Sequence, residues 1–187
     1  MDASGKARAY LGGVGDALKE FDVVRISEIA ETLARARDSK KTIFVFGNGG
    51  SAATASHFAC DLMKMASIGK EKKFRAVCLN DNVPTMMAYA NDVSYEEIFA
   101  GPLRNMLSEG DVAMGISGSG GSKNVLKAID YANSAGALTV GICGYGGGRL
   151  GQIAKLPLIM QSRDMQVVED CHMAALHCIA RIVTEDY

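Results

Sequence analysis

Five short apolar runs constrain this chain more than anything else in it. Thr42-Ile43-Phe44-Val45-Phe46, Ala76-Val77-Cys78-Leu79, Val112-Ala113-Met114-Gly115-Ile116, Leu138-Thr139-Val140-Gly141-Ile142 and Leu156-Pro157-Leu158-Ile159-Met160 all have strand length and lack polar alternation. Strands of that kind are buried on both faces, which is the mark of a parallel sheet. Helical patterning fills the intervals at roughly 51–65, 84–108 and 122–135. Strand–helix alternation of this sort predicts a three-layer α/β/α sandwich with five parallel strands. Two helices precede the first strand, marked by Tyr10, Leu11, Val14, Leu18 and Phe21, then by Val24, Ile26, Ile29 and Leu33. A last helix over about 166–184 carries Val168, Met173, Leu176, Ile179 and Val183. The expected organisation is one domain over 1–187: N-terminal helices at 1–38, an α/β core at 40–165 and a C-terminal helix at 166–187.

Composition narrows the function classes. Apolar residues at 48% and charged residues at 22% exclude global disorder. Twenty basic against 21 acidic residues, a net charge of -1, argue against a nucleic-acid partner. The basic knot Lys70-Glu71-Lys72-Lys73-Phe74-Arg75 reads as a solvated turn. Met1-Asp2-Ala3-Ser4 opens no apolar signal region, and no run reaches ~18 apolar residues, so neither export nor a membrane partner is expected. Cys60, Cys78, Cys143, Cys171 and Cys178 are odd in number and form no C-x-x-C, as expected of reduced thiols in a cytoplasmic protein.

Glycine is in excess, at 21 residues, and 13 of them fall at or just after the ends of the first, third and fourth strands. Ligands of parallel α/β sheets sit outside that carboxyl edge. After the first strand, Gly47-Asn48-Gly49-Gly50-Ser51-Ala52 opens directly into a helix, with Ser51 placed as N-cap or ligand donor. A plain capped turn is the competing reading. The loose G-x-G-x-x-A match is weak, because no acidic residue follows at the dinucleotide-binding distance. After the third strand, Ser117-Gly118-Ser119-Gly120-Gly121-Ser122 alternates hydroxyls with glycines ahead of another helix. Hydroxyls, backbone N–H groups and a helix N-terminus together suit a phosphate. The loop lacks the Gly-Lys-Ser/Thr of a P-loop, so a nucleoside triphosphate is not implied. Gly144-Tyr145-Gly146-Gly147-Gly148 forms another flexible loop at the same edge.

The three histidines are His57, His172 and His177. His57 and Asp61, four apart, share a helix face, as a surface hydrogen bond, a metal-ligand pair or a base with its orienting partner. Glu169 and His177 differ by eight residues, about 80° around and about 12 Å along a helix, so long side chains can converge between them. His172 reads as a packing or hydrogen-bonding residue.

Taken together, these loops resemble the sugar isomerase (SIS) domain family. The resemblance rests on Phe46-Gly47-Asn48-Gly49-Gly50-Ser51-Ala52-Ala53, His57-Phe58-Ala59, Ala90-Asn91-Asp92-Val93-Ser94-Tyr95-Glu96, Gly115 to Ser122 with Asn124 to Ala128, and Glu169 to His177. It implies a flavodoxin-like sheet, a homotetramer with active sites at subunit interfaces, and enediol isomerisation of a ketose 7-phosphate, sedoheptulose 7-phosphate, to an aldose 7-phosphate. By resemblance, Ser117, Gly118, Ser119 and Ser122 hold the phosphate, and Asn48, Gly49, Ser51 and Asp92 contact the sugar. His57, Asp61, Glu169 and His177 would hold one divalent metal per subunit, zinc in the family. Asp61 or Glu169, with His177, would supply acid/base catalysis. The chain departs from the pattern twice: Asp61 stands where the family has glutamate, shorter by about 1.5 Å of reach, and Glu169 where it has glutamine. Those departures keep a second class open, a non-catalytic phosphosugar-binding or protein-interaction SIS regulator.

Overall fold

A computed structural model describes residues 2–185 of the chain. Helix α1 (Ala3–Lys19) starts at Asp2, whose carboxylate accepts the Gly5 N–H at 2.8 Å. Asp22 does the same for α2 (Val23–Asp38) through Arg25 N–H. There follow β1 (Thr42–Gly47), α3 (Gly50–Cys60), β2 (Arg75–Cys78), α4 (Val83–Asp92), α5 (Ala100–Met106) and β3 (Val112–Ser117). The chain continues through α6 (Lys123–Ser134), β4 (Leu138–Cys143), the short α7 (Leu150–Ile153), β5 (Leu156–Ile159) and α8 (Met165–Glu185).

All neighbouring strands pair in parallel, in the order β2-β1-β3-β4-β5. This is the expected three-layer sandwich, and its order is the flavodoxin-like one. Alternate strand residues face opposite layers. Ile43, Val45, Val112, Met114 and Ile116 pack with α2, α3 and α8, through Leu33, Phe58 and Leu176 among others. Phe44, Phe46 and Ala113 pack with α5, α6 and α7 through Phe99, Leu103, Ile129 and Leu150. Both faces of the central strands are thus dry, which is why those runs show no polar alternation.

Two expected helices differ from their sequence reading. The 84–108 interval is not one helix. It breaks after Asp92, where Ser94 is extended and a single 3₁₀ turn (Tyr95–Glu97) intervenes before α5. Glu97 anchors the break by pairing with Arg104 at 2.6 Å and with Lys127 of α6 at 2.7 Å. The 51–65 interval is α-helical only to Cys60, and Asp61–Met65 widens into a π turn. Ser67 closes that turn by donating to the Leu62 carbonyl and accepting Phe74 N–H. Such insertions commonly redirect a functional side chain, and here the widened segment begins at Asp61.

Candidate active site

In this strand order the chain leaves β1 toward β2 on one side and leaves β3 toward β4 on the other. The two connections diverge and open a crevice at the carboxyl ends of β1 and β3. Both ends carry the glycine- and serine-rich loops. A pocket of about 280 Å³ lies there, lined by Asn48, Gly49, Gly50, Ser51, Ser117, Gly118, Ser119, Ser122 and Glu169, with Ile116 and Met165 as its apolar wall. Size does not single it out, since a hollow of about 430 Å³ lies beside Tyr10 and Asp164. Its donors do.

The serine loop is pre-formed. Ser117 Oγ and Ser122 Oγ lie 3.0 Å apart, and Ser119 Oγ accepts Gly121 N–H at 3.2 Å. Gly120 sits at φ +64°, and a Cβ there would fall onto the Gly147 carbonyl oxygen. The loop after β4, read from its glycines as a flexible loop, is packed against this one. It braces the serine loop, with Gly144 N–H bonded to Gly118 O and Leu150 N–H to Gly120 O, both at 2.9 Å. Ser51 is not the N-cap of α3, which is Gly49 at φ +56° with no side-chain cap. Ser51 is instead buried inside the first turn, on the pocket wall.

The second cluster lies where α3 meets α8. His57 Nε2 and His177 Nε2 are 3.2 Å apart, and Asp61 Oδ2 lies 3.6 Å from the first and 3.7 Å from the second. All three donor atoms fall within 4.8 Å of one another. Bonds of ~2.1 Å to a tetrahedral cation set donors about 3.4 Å apart, so the donor set fits a divalent ion with little movement. Three protein donors of these types are the number that catalytic zinc sites use, with a water or substrate in the fourth position. The imidazoles are about half exposed while the Asp61 side chain is 17% exposed.

Glu169 is not in that cluster. Its carboxylate covers Gly50 at the start of α3, where a Cβ would come within 2.7 Å of Oε1. Asp92 is outside the pocket too, exposed at the end of α4 and accepting from Asn91 Nδ2 at 2.8 Å. His172 is wholly buried, and among the described residues neither ring nitrogen has a hydrogen-bond partner. Burial pushes its pKa down to about 4; the Cys143 backbone offsets part of that shift without reaching hydrogen-bonding geometry. It is a packing residue. Two participants, Asn124 and Tyr95, lie within the motifs quoted above, which give them no role. Asn124 and Asn48 exchange amide hydrogen bonds at 2.8 and 2.9 Å, and the Tyr95 hydroxyl donates to Asn48 Oδ1 at 3.0 Å.

A family model described as the SIS domain matches residues 9–144. The chain belongs to the SIS domain family. A probable phosphoheptose isomerase of Thermoplasma acidophilum is 34% identical, over 97% of this chain and 99% of its own length. The phosphoheptose isomerase of Aquifex aeolicus is also 34% identical, over 90% of this chain and 88% of its own. The solved structure of a phosphoheptose isomerase from Francisella tularensis superposes with a TM-score of 0.91 at 22% identity, covering 100% of both chains, and shares the fold. The matched part of this SIS domain holds both pocket loops, His57 and Asp61; Glu169 and His177 come from α8, beyond it. Among the described residues no helix is long and apolar enough to cross a membrane.

Proposed function

We propose that this SIS domain is a phosphoheptose isomerase, interconverting sedoheptulose 7-phosphate and a D-glycero-heptose 7-phosphate through an enediol(ate). The observation that carries the reading is the course of α8. It borders the serine pocket with Glu169 and reaches His57 and Asp61 with His177, eight residues on. That spacing, about 12 Å along a helix, suits an extended sugar with its phosphate at one end and its reacting carbons at the other.

Ser117, Ser119, Ser122 and the Gly118 backbone hold the phosphate, helped by the N-terminus of α6. Binding energy gathered there positions C1 and C2, which are remote from it. Asn48, Gly49 and Ser51 hold sugar oxygens, and Glu169, on the pocket side, orients the intervening hydroxyls. Asp61 and His177 move the proton between C1 and C2, a task suited to a carboxylate and an imidazole in contact. His57, Asp61 and His177 would hold one divalent cation, of which zinc suits the donor set. When bound it supplies positive charge for the enediolate oxygens.

The same reading includes a homotetramer with sites at subunit interfaces. Ala17 is the sole buried residue of the 17-residue α1, and Leu11 at 67% and Leu18 at 38% exposure leave it short of a partner. The convergence of two histidines and a carboxylate favours catalysis over a purely regulatory binding role, which needs none of the three.

The test is turnover of sedoheptulose 7-phosphate by the purified chain, before and after chelation and zinc addition. The reading expects product formation, a loss of at least ~100-fold in kcat for Asp61→Asn and for His177→Ala, and a raised KM with kcat preserved for Ser119→Ala. No turnover of any ketose phosphate by metal-loaded protein would sink it.

A further inference from the structure

The amide pair behind the pocket fixes more than shape. Asn124, the second residue of α6, is 2% exposed, and its Oδ1 accepts the Val125 backbone N–H at 3.0 Å. A backbone N–H can only donate, so that bond decides which end of the Asn124 amide is oxygen. Its Nδ2 is thereby turned toward Asn48, where it donates to Oδ1 at 2.8 Å. Asn48 returns one Nδ2 hydrogen to Asn124 Oδ1 at 2.9 Å. The second acceptor direction of Asn48 Oδ1 takes the Tyr95 hydroxyl at 3.0 Å, from the 3₁₀ turn that breaks the α4–α5 interval. The oxygen of Asn48 is thus fully occupied. The remaining Nδ2 hydrogen is the group that the Asn48 side chain has left to offer the pocket this residue lines.

We propose that Asn124 is a positioning residue that makes the Asn48 side chain a donor-only contact, with Tyr95 completing the lock. The site then selects a substrate oxygen with a free lone pair opposite Asn48 and rejects a group that can only donate. Flipping the Asn48 amide would set N–H against N–H and oxygen against oxygen, and Asn124, at 2% exposure, does not recover its missing partners from water. The break between α4 and α5 gains a role as well: it delivers the Tyr95 hydroxyl across to the loop after β1. This inference rests on the phosphosugar reading of the pocket, but concerns the sugar end of the ligand and leaves the phosphate end alone.

Calorimetric titration of the full chain separates the two ends. One ligand is inorganic phosphate; the other is a heptitol 7-phosphate, an unreactive open-chain polyol. Asn124→Ala is expected to weaken the heptitol phosphate about tenfold and Tyr95→Phe about threefold, with the Kd for inorganic phosphate unchanged within about twofold. In an Asn48→Ala background neither substitution has a further effect, since both act through that amide. Losses that add in the double variants, or that fall equally on inorganic phosphate, overturn the lock. Wild-type protein that binds neither ligand overturns the phosphosugar reading and the lock with it. Tyr95 is 58% exposed, so Tyr95→Phe and its double variant decide the matter even where Asn124→Ala fails to fold.

Discussion

His172 shows what a single residue does when its polar atoms are buried without partners. Its imidazole stays neutral in the fold because burial holds the pKa near 4, whereas an unfolded chain titrates near 6.5. Between those values the unfolded state binds a proton that the folded state refuses. Stability is therefore complete above pH 6.5 and declines as the pH falls toward 4. The expected loss between pH 7.5 and pH 5 from this residue is about 2 kcal/mol. Urea unfolding at the two pH values, with wild type and His172→Leu, measures it. The variant should lose about 2 kcal/mol less on acidification, and an identical acid loss in both proteins would remove His172 as the cause. The residue scale is also where the sequence was most and least readable. Ser117, Ser119 and Ser122 announced themselves because hydroxyls and glycines alternate within one loop. Asn124 and Tyr95 did not, because the residue that gives them meaning, Asn48, lies 76 and 47 positions away. The placing of Glu169 over Gly50 was hidden for a related reason: a spacing along one helix does not say what the neighbouring helix presents to it.

At the scale of elements, the site depends on two loops that stabilise each other. Gly120 and Gly146 both have positive φ, at +64° and +74°, but only Gly120 faces backbone where a Cβ would go. Gly146→Ala meets no atom within 4 Å and should cost only the left-handed penalty, about 1 kcal/mol. Gly120→Ala must also push the Gly147 carbonyl away, and it distorts the hydroxyl cradle in doing so. We expect it to cost at least about 3 kcal/mol and to weaken inorganic phosphate binding tenfold or more, with Gly146→Ala leaving phosphate affinity unchanged. Equal destabilisation by the two, read from denaturant midpoints, would show that the brace contributes nothing. The strands were legible from their apolar runs because burial on both faces erases alternation. The π turn at Asp61–Met65 and the break at Val93–Ser94 were not legible. Both are set by tertiary ties, Ser67 in one case and the Glu97 ion pairs in the other, and apolar spacing continues across each of them.

For the whole molecule, the surface of the single chain supports the proposed assembly. Its sheet is covered on both faces, yet α1 keeps Leu11 and Leu18 exposed, and the adjoining start of α2 exposes Val23 and Val24 at 69% and 66%. Fully covering an exposed leucine is worth roughly 1.5–3 kcal/mol, so covering these side chains favours association and offsets part of its entropic cost. His57 and His177 are also about half exposed, and a neighbouring subunit would exclude water from the reacting carbons, which strengthens every charge interaction there. Placing a charge at Leu11 separates these contributions. In Leu11→Glu each copy brings a carboxylate to the surface that α1 would bury, and desolvating it opposes assembly. Sedimentation velocity should show the dissociation constant between subunits raised at least about tenfold. Isomerase activity should fall as the variant is diluted through that constant, while metal content per chain and binding of inorganic phosphate persist in the dissociated form. The serine cradle and the His57–Asp61–His177 cluster are each built within one chain, so ligand binding and turnover are expected to part company on dilution. A dissociated variant with undiminished kcat would place the complete active site in a single subunit and leave assembly to serve stability alone.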